Sequence, residues 1–258
     1  MRFHVFESGS KGNCTLISSK GRHLIIDNGL TIRKFKAYLA SVNLTIDDIP
    51  VVLVTHSHRD HIDGLKAFND RPRCIYASKS TYPLYSQNNE LKSYHKYELN
   101  GFNITVVPTS HDATGSIGFI IDDGEEKLVY ITDTGFIYER VVDYIRDCDY
   151  YIFESNHNVQ MQLKTGRPQY LIDRIMGDHG HLSNEDASLY LSEVISSRTK
   201  EIVLAHLSEE ANTPEKACTA LLRIMEKRGV SLENVIFKCA SQVNTISGGT
   251  LIKEENYV

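Results

Sequence analysis

Apolar residues recur along this chain in short runs rich in Val, Ile and Tyr, closed by Gly, Asn, Asp or Ser. RFHVFES, CTLISS, HLIIDNG, VVLVTH, RCIYAS, FNITVVPTS, IGFIIDD and KLVYITDTG follow one another through the first half, and YYIFES and EIVLA come later. Runs this short with β-branched content predict strands. A helical period appears at Ile32–Val42, where Ile32, Phe35, Tyr38, Leu39 and Val42 share a face. It returns at Gly135–Arg146, Pro168–Met176, Asn184–Ser196 and Pro214–Lys227. Pro168 and Pro214 suit first helical turns, Thr213 offers a capping hydroxyl, and Gly177 a stop.

Strands with few helices thus give way to strands and helices in alternation. Two sheets face to face with helices outside would bury all these runs. The expected fold class is therefore α/β, a four-layer αββα sandwich. No repeat, low-complexity tract or linker divides the 258 residues. Folds of this class and length commonly stay undivided, so a single domain over 1–258 is expected.

Composition changes this picture in few respects. Hydrophobic residues make up 41% and charged residues 24%, ordinary for a soluble globular chain. No apolar run reaches the roughly 18 residues of a membrane span, and MRFHVFESGSKGN lacks the apolar core and cleavage site of a signal peptide. Cys14, Cys74, Cys148, Cys218 and Cys239 are scattered, with no C-x-x-C pair. They predict reduced thiols in a cytoplasmic protein, not a disulfide frame or thiolate zinc site. A net charge of −5 gives no general affinity for nucleic acid, so a polyanion would need local cations. The unusual figure is eleven histidines.

Four ligand-type side chains, His56, His58, Asp60 and His61, crowd into THSHRDHIDG directly after the VVLV run. A lone histidine is usually structural. Imidazoles and a carboxylate packed this tightly repel or desolvate one another without a cation, and they suit zinc, manganese or iron. A strand end is also where α/β sites commonly lie.

The H-x-H-x-D-H pattern resembles the dinuclear hydrolases of the metallo-β-lactamase superfamily. The likeness continues through SHDA (110–113), ITDTG (131–135) and LAHLS (204–208). It implies one metal held by His56, His58 and His111, and a second held by Asp60, His61 and His206, with Asp133 between them. Taken alone, Asp133 reads equally well as a turn or capping residue. Two divalent ions, Zn²⁺ or Mn²⁺ with Fe²⁺ also admissible, would bring a shared water from a pKa of about 15.7 to about 7. They would also offset the oxygen charge that grows on the substrate.

FESGSKGNCTLI at the start, ESNHN (154–158) and RIMGDHGHLSNEDA (174–187) are similar to the YycJ (WalJ) family, bacterial proteins of this fold regarded as DNA exonucleases. Similar blocks occur in the tRNA 3′-processing RNase Z enzymes. There an H-S-T segment before a helix supplies a proton donor, and a strand-end glutamate orients it. The resemblance makes His181 the donor, with Leu182 where the serine stands, and Glu154 its carboxylate; Asp60 joins them among the catalytic residues. A carboxylate on one ring nitrogen fixes the tautomer, so the other nitrogen can protonate an alkoxide. A departing sugar oxygen needs that proton and a thiolate does not. The plain alternative is a capping loop with a solvent-facing histidine.

The implied activity is phosphodiester cleavage in nucleic acid, DNA favoured over RNA, by an exonuclease with hydroxide attacking phosphorus. The exosite arm of RNase Z and the β-CASP insertion have no counterpart, which disfavours folded tRNA. Lys11 and Asn13 of the GSKGN loop, and His157 beside Glu154, are candidate substrate contacts. A plain turn and a supporting contact are equal alternatives. Arg59 and the basic loop Lys164–Arg167 are further phosphate candidates; His4, His23, His95 and His179 read as incidental. No membrane partner is expected, and the oligomeric state is not legible. The alternative enzyme is a small-molecule metallohydrolase, a thioesterase like glyoxalase II or a cyclic-phosphate diesterase. A non-catalytic docking module is disfavoured by the full ligand set. An iron redox centre is disfavoured by the lack of a flavin domain.

Overall fold

The computed structural model describes residues 1–71, 74–81 and 89–250. One sheet contains β1 (Arg2–Glu7), β2 (Cys14–Ser19), β3 (Arg22–Ile26), β4 (Val52–Leu53), β5 (Ile75–Tyr76) and β13 (Ile246–Gly249), in the order β13-β1-β2-β3-β4-β5. The other contains β6 (Lys96–Leu99), β7 (Phe102–Pro108), β8 (Ile117–Asp122), β9 (Lys127–Ile131), β10 (Tyr150–Glu154), β11 (Glu201–Ala205) and β12 (Ile236–Cys239), in the order β12-β11-β10-β9-β8-β7-β6. The helices are α1 (Ile32–Ser41), α2 (Arg59–Ile62), α3 (Glu139–Ile145), α4 (Val159–Gln162), α5 (Gln169–Met176), α6 (Asn184–Val194) and α7 (Pro214–Arg228). Arg73, first residue of the RCIYAS run, lies outside the described residues.

Both faces of each sheet are covered, which is why the runs read as near-continuous apolar stretches. Between the sheets, Phe3, Val5, Leu24, Ile26 and Leu53 meet Phe119, Ile121, Tyr130, Ile152 and Val203. On the outer face of the first sheet, Leu16, Ile25 and Val52 pack with Phe35 and Leu39 of α1. On the outer face of the second, Val129, Tyr151, Phe153 and Leu204 pack with Val141 of α3, Leu191 of α6 and Leu221 of α7. Strand periodicity decides the side taken: in β10, Ile152 points inward while Tyr151 and Phe153 point outward. The layering is αββα.

Helix boundaries follow their caps. Thr213 accepts the N–H of Lys216, Pro214 occupies the first turn of α7, and Gly229 ends it with φ +68°. Ser183 caps α6 by accepting the N–H of Asp186. Pro168 stands just before α5, not within it. The helix expected from Gly135 begins instead at Glu139. Upstream, Thr134 donates its hydroxyl to the carbonyl of Phe136, and the N–H of Gly135 is taken by Ser110, which holds a loop. No helix among the described residues is long and apolar enough to cross a membrane.

Strand direction prepares the site. β9, β10 and β11 run parallel, and β7 is antiparallel to β8, itself antiparallel to β9. The C-terminal ends of β7, β9, β10 and β11 therefore emerge at one edge. In the first sheet β3 and β4 are also parallel.

Candidate metal centre

The segments leaving these strand ends carry the candidate residues. His56 and His58 follow β4, and α2 presents Asp60 and His61. His111 follows β7, Asp133 follows β9, Glu154 closes β10 and His206 follows β11. Asp133 and His206 both have φ +56°, and Asp27, just past β3, has φ +57°. Left-handed backbone costs an L-residue roughly 1–2 kcal/mol, and such strain is typical where a turn must aim a side chain.

The ligand atoms of His56, His58 and His111 lie within 4.8 Å of one another, as do those of Asp60, His61 and His206. Nε2 of His111 is 3.3 Å from Nδ1 of His58. Asp133 touches both groups: Oδ1 is 3.8 Å from His111 Nε2 and 3.4 Å from His206 Nδ1, and Oδ2 is 3.3 Å from His61 Nε2.

Hydrogen bonds on the far ring nitrogens orient these imidazoles. His61 donates Nδ1–H to Asp27 Oδ2 at 2.8 Å, and Asp27 also accepts the N–H and hydroxyl of Thr55. His206 donates Nδ1–H to Glu154 Oε1 at 2.9 Å, and His111 donates to the carbonyl of Gly180 at 3.2 Å. Each leaves Nε2 free to act as a ligand. His56 Nε2 and Asp133 Oδ2 are buried without a hydrogen-bond partner in the described protein. Leaving such an atom unsatisfied costs roughly 1–3 kcal/mol, and a divalent cation would satisfy both. Burial opposes charge on His61, but Asp27 and Asp133 outweigh it and raise the ring to about 9. For His206, Asp133 and Glu154 outweigh burial with the same result, about 9. Asp133 is held well below the usual carboxylate range, its burial overcome by His206 and His61. The carboxylates of Asp27, Asp133 and Glu154 that draw protons onto these rings would equally attract a cation, which would take the place of the protons on Nε2.

Glu154 is fully buried and serves two rings. Its Oε1 accepts Nδ1–H of His181 at 2.9 Å as well as that of His206, while Oε2 accepts the N–H groups of Thr134 and Leu182. Burial works against its ionisation, but His181 and His206 hold it at about 2. Asp133, Glu154, His181 and His206 also bring ligand-type atoms within 4.8 Å. Because both Glu154 oxygens already accept N–H donors, it makes a poor metal ligand. The His181 side chain remains 19% exposed. Leu182, in the position of the resemblance's serine, is buried in the core outside the second sheet.

Asn13 is buried; its side chain accepts the N–H of Gly9 at 2.9 Å and its amide nitrogen lies 3.0 Å from His61 Nε2. Lys11 is exposed and paired with Glu209 at 2.8 Å. His157 is 1% exposed and presents almost no surface to a substrate; burial lowers its pKa to about 4. Arg59 points to solvent beside Asp63, and Arg167 of the basic loop pairs with Glu210. His179 is exposed and contacts Ser110, while His4, His23 and His95 contact Ser247, Ser18 and the carbonyl of Ser93. None of these four joins the cluster.

Two acidic residues here escaped the sequence reading. Asp27 sits in IIDNG, where its strand-end position beside Asn28 and Gly29 was an available but common turn signal. Asp112 of SHDA places Oδ1 3.4 Å from Nε2 of both His58 and His111. Its other oxygen accepts Nε–H of Arg174 at 2.6 Å.

A Beta-lactamase superfamily domain matches residues 22–207. The exodeoxyribonuclease YycJ of Bacillus anthracis is 34% identical over 248 residues, which span 89% of this chain and 90% of that protein. The exodeoxyribonuclease WalJ of Streptococcus pneumoniae serotype 2 (strain D39) is 30% identical over 228 residues, spanning 84% and 85%. The crystal structure of YhfI, a metallo-β-lactamase fold protein from Bacillus subtilis, superposes with a TM-score of 0.69 at 16% identity, covering 96% of this chain and 99% of its own. That last likeness is one of fold.

Proposed function

The chain belongs to the beta-lactamase superfamily, among the relatives of YycJ and WalJ, and from that premise we propose that it is a metal-dependent phosphodiesterase of nucleic acid. In this proposal it acts as a DNA exonuclease, as one domain over 1–258, in the cytoplasm, where its free cysteines suit a reducing compartment. The choice of DNA follows the names of the two relatives.

The observation that carries the proposal is the shared carboxylate. Glu154 Oε1 stands 2.9 Å from Nδ1 of His206, a candidate ligand, and 2.9 Å from Nδ1 of His181. It thereby fixes a proton donor against the metal centre. We assign His56, His58 and His111 to one divalent ion and Asp60, His61 and His206 to the other, with Asp133 shared. Zinc and manganese both suit this donor set, and iron is admissible. Such ions, when bound, make hydroxide accessible near neutral pH and offset charge growing on phosphoryl oxygens.

The chain's own residues supply the rest. Asp27 and Glu154 hold His61 and His206 with Nε2 turned inward. With Nδ1 committed to Glu154, His181 keeps Nε2–H for the departing sugar oxygen, and the carboxylate balances the charge on the ring. A thioester would make no use of that arrangement. The test is a matrix of Mn²⁺ and Zn²⁺ against end-labelled single- and double-stranded DNA and RNA, with a glutathione thioester as the contrasting substrate. DNA turnover with the thioester untouched is expected. Thioester hydrolysis without cleavage of any nucleic acid would reject the proposal.

A further inference from the structure

Beside His181 and His206 lies a cleft of about 310 Å³ whose walls include Ser10, Asn156, Arg167, Leu171, Arg174 and Ser208. That volume is at the small end of ligand pockets, the scale of one compact ligand unit. His181 forms part of its wall, and with Nδ1 bound to Glu154 the nitrogen left to donate a proton is Nε2. A general acid must stand within hydrogen-bond reach of the oxygen it protonates. With His181 as the general acid, the cleft it lines is the space for the departing side of the substrate.

We propose that this cleft is the leaving-side nucleotide subsite, and that Arg167 and Arg174 engage a phosphate carried by that nucleotide. The inference rests on the phosphodiesterase function proposed above and adds where the strand is gripped. A chain of net charge −5 must hold a polyanion through local cations, and the two guanidiniums line this cleft. Both are currently held by carboxylates at the surface: Nε of Arg167 donates to Glu210 Oε2 at 2.9 Å, and Nε of Arg174 donates to Asp112 Oδ2 at 2.6 Å. The Glu210 side chain is 61% exposed and that of Arg174 is 56% exposed. One partner in each pair is largely exposed, so water screens both pairs, and a phosphate offers each guanidinium the same two-nitrogen, charge-assisted contact. Exchanging a carboxylate for a phosphate therefore costs little, and the existing pairs keep the arginines at the rim.

The test is steady-state kinetics of Arg167→Ala and Arg174→Lys on an end-labelled oligonucleotide and on bis-p-nitrophenyl phosphate, whose leaving group carries no phosphate. Lysine is chosen at 174 because alanine would leave Asp112 unpaired beside His58 and His111. Each variant should raise KM for the oligonucleotide about tenfold, the scale of one charge-assisted hydrogen bond. In Arg167→Ala, kcat for the oligonucleotide and kcat/KM for bis-p-nitrophenyl phosphate should stay unchanged; in Arg174→Lys, whose partner Asp112 touches His58 and His111, the oligonucleotide KM should change more than kcat/KM for bis-p-nitrophenyl phosphate. Loss of Arg167 should also flatten the dependence of log KM on log salt by roughly 0.7–0.9. Equal losses on the two substrates, or an unmoved oligonucleotide KM in both variants, would overturn the subsite. An unaltered protein that hydrolyses bis-p-nitrophenyl phosphate but no oligonucleotide would reject the nucleic-acid function itself, and the subsite with it.

Discussion

Glu154 accepts the Nδ1–H of His181 at 2.9 Å from a fully buried strand end, and the same oxygen accepts His206. Glu154→Gln preserves volume but removes the charge that fixes both tautomers. Its kcat on DNA should fall about 10²–10⁴-fold, the scale of general acid catalysis. Metal retention after dialysis should also weaken about 10–100-fold, because His206 loses its orienting partner. Unchanged values of both would remove Glu154 from the account.

Asp27 predicts a purer metal effect. It orients His61 at 2.8 Å without joining either ligand group. Asp27→Asn should lower metal affinity about 10–100-fold in competition with a fluorescent chelator, and activity should return at raised metal concentration. A wild-type affinity would show that Thr55 and packing orient His61 unaided.

Gly29 lies so close to α2 that a Cβ there would stand 1.7 Å from the carbonyl oxygen of Asp60. Backbone cannot swing aside as a flexible side chain can. Gly29→Ala should therefore displace the segment that carries Asp60 and His61, lowering Tm by at least about 2–4 °C and reducing bound metal. Retention of both would mean that α2 yields more easily than its packing suggests.

Away from the site, Asp123 and Glu126 predict how stability varies with pH. Burial opposes charge on Glu126, but bonds from Lys200, the amino-terminal nitrogen, Thr250 and Tyr150 bring it from 4.5 to about 2. For Asp123, burial is likewise outweighed, by Ser19 and the N–H groups of Glu126 and Glu125, giving about 2. The folded values lie below the unfolded ones, so the unfolded chain binds more protons in acid. Their stabilisation is complete above the ordinary carboxylate values and is lost as pH falls through about 4.5 to 2. Glu126→Gln should be less stable than the unaltered protein in urea at pH 7, with the gap closing towards pH 2. A gap independent of pH would contradict this.

Sequence patterning made the sandwich legible because its central strands are buried on both faces and leave continuous apolar runs. It missed β6, whose burial alternates between exposed and half-buried at the sheet's edge, and β12 and β13, which are short and partly exposed. The histidine motif stood out because four ligand-type side chains crowd one short segment. Asp27 did not, since it acts on His61, distant in sequence; Asp112 adjoins His111, but only the fold brings it to His58 and Arg174. His157 illustrates the opposite limit: closeness to Glu154 in sequence suggested a substrate contact, but the turn after β10 buries the ring.

In the proposed reaction His181 protonates a poor leaving group beside a metal centre. The most direct test is the kcat of His181→Ala, at measured metal content, on DNA and on bis-p-nitrophenyl phosphate, whose nitrophenolate leaves without a proton. A proton donor at 181 requires a loss of about 10²–10⁴-fold on DNA, with bis-p-nitrophenyl phosphate turnover within a few-fold of the unaltered protein and metal content unchanged. Equal losses on both substrates, or full activity on DNA, would contradict it.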